Sequence, residues 1–144
     1  MKLILASIAT AIALFASIQI VSAARSDDAL GFALAYQNCV VSNGWDKSTA
    51  PSVSVAPSGR RVFDYDATVQ AKIDETTKCT LPYFAQLTAA CSCNDFAKDV
   101  ATYQQELVSL QSWLALPLVN VELSPNNFET VSIGTPRAKF LLGN

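Results

Sequence analysis

The sequence predicts a mostly α fold, a small disulfide-stapled helical domain of about four helices closed by a short C-terminal β-hairpin. Three observations carry this reading. Phe96, Val100, Tyr103, Leu107, Leu110 and Leu114 recur at alternating spacings of four and three, a sustained one-sided helical stripe. Four cysteines sit in a chain that opens like an exported protein. Beyond Pro117 the pattern changes to alternation, the period of a strand.

The opening residues set the compartment. Lys2 supplies one positive charge, and Leu3 to Val21 is apolar apart from Ser7, Thr10, Ser17 and Gln19. Val21-Ser22-Ala23 then offers small residues at a cleavable spacing, and Asp27-Asp28 follows. Residues 1–23 therefore read as a secretory signal peptide, with cleavage at or next to Ala23 and a secreted, extracellular product. The rival is an uncleaved anchor, because the apolar run approaches the ~20 residues that a bilayer needs. The small-residue end and the single flanking lysine favour cleavage. Of 144 residues, 121 remain, enough for a single domain over 24–133.

Within that domain Ser26-Asp27-Asp28 reads as a helix start, a capping hydroxyl followed by acids in the first turn. Leu30, Leu34, Gln37 and Val41 share one face of this helix, and Phe32, Tyr36 and Cys39 share another. Asn43-Gly44 stops it. The run "TAPSVSVAPSGRR" has no helical period and two prolines, so 45–61 is expected to be an exposed loop. A second helix follows from about Tyr65 to Thr77, with Val69 and Ile73 four apart.

The third helix begins at Thr80 or Leu81, with Pro82 in its first turn, where a missing N–H costs little. Phe84, Leu87 and Cys91 lie on one face of it. Asn94 can cap the fourth helix, whose stripe puts Leu107 at the middle of the core and ends before Pro117. Val119, Val121 and Leu123 then alternate with Asn120 and Glu122, and Val131 and Ile133 alternate after a Ser-Pro-Asn-Asn turn. A hairpin over 118–133 is expected, and residues 134–144 are expected to fray.

Cys39, Cys79, Cys91 and Cys93 are read as two disulfides. Ten helical residues between Cys79 and Cys91 span roughly 15 Å, whereas bridged Cα atoms lie within about 7 Å. If the third helix is real, Cys79 therefore pairs with Cys39, and Cys91 and Cys93 bridge each other or stay reduced. If it folds back after one turn, the cross-pairings return. A CxC ring is small, and Cys93 precedes a helix N-terminus that favours a thiolate, so this pair is a candidate thiol–disulfide exchange site.

Zinc fits poorly. The chain has no histidine, and the cysteine spacing lacks paired CxxC knuckles. No metal and no cofactor are expected. Without histidine, Ser-His-Asp and Cys-His machinery is impossible. The carboxylate pairs Asp64/Asp66, Asp74/Glu75 and Asp95/Asp99 have simpler roles as solvated, helix-starting acids. Arg60-Arg61 reads as two solvated arginines, with a dibasic processing site as the alternative.

Once Lys2 leaves with the leader, nine basic residues face twelve acidic ones, which provides no footprint for nucleic acid. The positive mean hydropathy comes largely from the leader, and no second segment is long enough to span a membrane.

The stretch "CTLPYFAQLTAACSCNDF", Cys79 to Phe96, resembles the CxC-containing segment of fungal CFEM domains. That family carries eight cysteines and often holds haem through an aspartate ahead of the CxC. Here three cysteines fall in the segment, and Thr88-Ala89-Ala90 has no aspartate, so no function is carried over.

The expected function is therefore non-catalytic extracellular binding, with an unknown extracellular protein, a surface or an apolar ligand as partner. One alternative is a carrier of a small apolar ligand such as a lipid, with Phe32, Tyr36, Phe84, Tyr103 and Leu107 around a cavity. A third is a redox module using the CxC pair.

Overall fold

The computed structural model describes residues 26–144. The signal-peptide reading and its cleavage point lie outside the described residues. In chain order the elements are α1 (Ser26–Ser42), β1 (Ser52–Val55), β2 (Arg61–Asp64), α2 (Asp66–Glu75), a π-helical turn (Thr76–Thr80), α3 (Leu81–Cys91), α4 (Ala97–Ala115), β3 (Leu118–Ser124), β4 (Asn127–Ser132) and α5 (Pro136–Leu142). The fold is mixed: the expected helices and disulfide staple are present, and a four-stranded antiparallel sheet in the order β1-β2-β3-β4 joins them, so the mostly α expectation holds only in part.

The described chain divides into two compact units. One comprises residues 26–47 and Lys72–Val108, the other Ser48–Ala71 and Ser109–Asn144. Each closes its own apolar cluster.

The helical unit is centred on aromatic packing. Tyr36, Tyr83, Phe84, Phe96 and Tyr103 are buried together with Ala29, Ala33, Cys79 and Leu87. Phe84 stands between Tyr83 and Tyr103, with both ring centroids 5.6 Å away, and Phe96 lies at 6.1 Å. Such spacings favour tilted aromatic contact as well as simple burial.

The face of α1 that carries Ala29, Ala33 and Tyr36 turns inward, whereas Leu30, Leu34 and Val41 stay exposed. Cys39 decides this. It is bonded to Cys79, which is 2% exposed, so the bond fixes the rotation of α1 about its own axis.

The chain runs helically from α2 through the π turn into α3. At the junction the Leu81 N–H reaches back five residues to the Thr76 carbonyl. The next residue, Pro82, has no N–H to donate, and a widened turn ahead of it removes the need for one. In α4 the stripe is anchored by Tyr103 and Leu110, with Phe96 just ahead of the helix. Leu107 is only half-buried, so it does not sit at the centre of the core as expected.

In the second unit the sheet accounts for the corrections to the sequence reading. The expected 45–61 loop contains β1 and the first residue of β2, joined by a turn in which Gly59 takes φ +84° and Ala56 N–H donates to Arg60 O at 2.9 Å. Both prolines fall outside the strands, Pro51 before β1 and Pro57 in the turn, so they remove no ladder bond. Val53 pairs with Phe63 and Val55 with Arg61. The expected hairpin is present as β3–β4, and β2 joins it through Val62 opposite Val121.

The last residues do not fray. Thr135 caps α5, accepting from Ala138 N–H at 3.2 Å, and Pro136 follows at the first helical position. Leu141 and Ala138 are each 1% exposed, packed with Val119, Val121 and Val131. Ser58 ties the end down, donating from its hydroxyl to Leu141 O at 2.6 Å and from its N–H to Leu142 O at 3.0 Å.

Candidate functional site

The two disulfides are Cys39–Cys79 and Cys91–Cys93, with Cα separations of 5.8 and 5.2 Å. Helix α3 fills the interval between Cys79 and Cys91 almost completely, which keeps those two cysteines apart. The helix ends at Ser92, whose backbone takes φ +50° and whose N–H returns to Thr88 O.

Beside this bridge lies an open groove of about 650 Å³. Helix α3 lines it with Leu81, Ala85, Thr88 and Ala89, spaced to share one helical face. Helix α4 lines it with Ala97, Val100, Ala101 and Gln104, again one face, and Cys93 and Asn94 close the end between the helices.

The physical origin is simple. Large rings on the inward faces of these helices hold them apart, while alanines on the other faces leave the space between them unfilled. Of the lining residues only Thr88, Asn94 and Gln104 bring polar side chains, and none is charged.

Phe32, Tyr36, Phe84, Tyr103 and Leu107, the residues read as surrounding a carrier cavity, do not line this groove. Tyr36, Phe84 and Tyr103 belong to one buried cluster, and Phe32 packs against it. The groove residues were legible only as a repeat. Ala85/Ala89 and Ala97/Ala101 stand four apart, a pattern that reads as a bland solvent face until two such faces line one groove.

Behind the groove wall the phenols are held neutral. Burial pushes the Tyr83 hydroxyl up to about 12, helped by the neighbouring Tyr36. Burial raises Tyr103 further, with Tyr36, Glu106, Asp99 and Glu75 adding to it. Tyr36 is raised too, chiefly by burial, although a hydrogen bond with Thr80 opposes the shift. None of the three is poised to transfer a proton near neutrality.

The carboxylates take structural roles. Asp64 accepts from the Asp66 N–H at 2.8 Å at the start of α2, and Asp95 and Asp99 are exposed. Burial, and then the adjacent Asp64, raises the Asp66 carboxyl above its ordinary range. Glu75 pairs with Lys72 at 3.2 Å. Arg61 pairs with Glu122 and lies over the Phe63 ring, while Arg60 donates to Leu123 O at 3.4 Å. Among the described residues no three His, Cys, Asp or Glu side chains gather as metal ligands, and no helix is long and apolar enough to cross a membrane. The chain matches no family model, no curated protein and no solved structure.

Proposed function

We propose that this chain is an exported protein that binds without catalysing, and that its ligand is a small apolar molecule such as a lipid. The groove between α3 and α4 is the observation that carries this reading. Its volume of about 650 Å³ lies in the range typical of small-molecule sites, and its lining is apolar with a few polar groups to orient a head group. The small lining residues suit a slender hydrocarbon body. Export rests on the leader, and the bonded state of all four cysteines accords with an oxidising compartment.

Titration of the purified secreted protein with a fluorescent fatty-acid analogue tests the reading. Wild type is expected to bind saturably, and Ala101→Phe, which fills the groove, to lose that binding while keeping its near-UV circular dichroism. Absence of binding by wild type, or equal binding by both, refutes it. N-terminal sequencing of secreted material should return Ala-Arg-Ser-Asp or Arg-Ser-Asp.

A second reading, an interaction with an extracellular protein, has its own support in α1, where Leu30 and Leu34 are 60% and 50% exposed. A partner co-purifying from native secretion with wild type, but lost on Leu30→Glu/Leu34→Glu, favours that reading instead.

A further inference from the structure

The Cys91–Cys93 bridge borders the groove. Cys93 is one of the lining residues, both cysteines are partly exposed, and Ser92 between them faces solvent. In the other bridge Cys39 is partly exposed as well, but Cys79 lies within the aromatic core and neither cysteine lines the groove. A disulfide exchanges only with a thiolate that can reach it, so the groove beside Cys93, which could seat one, separates the two.

One further feature favours opening at this position. Cys91 Sγ lies 3.6 Å from the Thr88 carbonyl oxygen, so a thiol released there has an acceptor already in place. As a staple, by contrast, a link across a single residue restrains the unfolded chain little.

We propose that this bridge is a thiol–disulfide exchange site for a thiol borne on a slender apolar body, which the groove seats beside Cys93. The proposal rests on the groove being an apolar-ligand site. In the step, the incoming thiolate attacks Cys93 Sγ and the Cys91–Cys93 bond breaks. The Cys91 sulfur leaves with the bonding pair and takes up the proton that the incoming thiol gave up. The products are one mixed disulfide on Cys93 and one thiol on Cys91, with no net oxidation and no further reactant.

The test uses ethanethiol, butanethiol and hexanethiol, whose sulfurs are alike and whose bodies differ. The secreted protein is quenched with acid at intervals, the mixed disulfide is counted by intact mass, and its position is mapped by peptide analysis. The adduct is expected on Cys93, with a rate that rises roughly two- to four-fold per added methylene. Ala101→Phe should flatten the series while leaving the bridge intact. Short peptides with one cysteine flanked by leucines or by serines form a second arm. Preference for the leucine peptide assigns the thiol to polypeptides, and a rising alkyl series alone assigns it to small molecules.

A rate independent of chain length in wild type, or equally fast attack on Cys39–Cys79, overturns the proposal. The fluorescent fatty acid carries no thiol and separates the two claims. If it binds while the alkyl series is flat, exchange fails and ligand binding stands. If it does not bind and the series is flat, both fail.

Discussion

Replacing Cys39 and Cys79 together by alanine removes the link that ties α1 to the π-helical turn within the helical unit. The two cysteines are 40 residues apart in sequence. Loop-closure entropy for that length is about 13 cal/mol/K, or about 4 kcal/mol at 25 °C. Cys79 is 2% exposed, so its lost sulfur also leaves a small void among Tyr36, Tyr83 and Phe84, adding about 1 kcal/mol. Alanine is preferred to serine because it buries no orphan hydroxyl.

A total of about 5 kcal/mol is comparable with the whole stability of a small domain, roughly 5–15 kcal/mol. Guanidinium unfolding followed by far-UV circular dichroism reads it directly. With a slope of about 4 kcal/mol/M, the midpoint should fall by about 1 M. The matched control is Cys91→Ala/Cys93→Ala, where the separation is 2 and the same relation gives only about 1–2 kcal/mol. Equal midpoints for the two double variants, or a larger loss for the second, would show that the long bridge does not organise the helical unit.

Other outcomes follow from packing and titration. Phe84→Ala should cost about 3–5 kcal/mol because it empties the centre of the aromatic cluster. Leu107→Ala, half-buried and outside that cluster, should cost about 1–2 kcal/mol; similar denaturation midpoints for these two variants would place the core elsewhere. Gly143→Ala should cost about 1–3 kcal/mol in thermal unfolding, since φ is +78° and the new Cβ would stand 2.8 Å from Ser58 N. Tyr83 and Tyr103 ionise above their ordinary value of 10.0, so folding favours the neutral phenols. Their contribution is complete below pH 10 and is lost as the pH rises through about 12, the folded value of Tyr83. An alkaline titration should therefore show delayed phenolate absorbance that appears together with loss of near-UV circular dichroism. Smooth ionisation near pH 10 with the fold intact would contradict the burial of both rings.

What could be read without coordinates was whatever depends on nearest neighbours along the chain. The stripe from Phe96 to Leu114 marks a helix because its period is a property of the backbone alone. The length of α3 separates Cys79 from Cys91 for the same reason, so the bridges follow from helical rise once that helix is granted. Thr135-Pro136 and Gly143 also formed a legible start and stop for α5, and the position near the chain end concealed it.

Everything that needed a distant partner was illegible. "SVSV" is too short and too mixed to declare itself, and it becomes a strand only because its ladder bonds find β2. That strand in turn meets β3 more than fifty residues later. Hydrophobicity alone ranks Leu30 and Leu34 above Ala29 and Ala33 as core residues, yet the alanines are buried, because a covalent bond at Cys39 fixes which side of α1 faces inward. The groove is the same case at larger scale. Four alanines were visible in the sequence, but a concave space exists only where two separate helices are held apart by rings on their opposite faces.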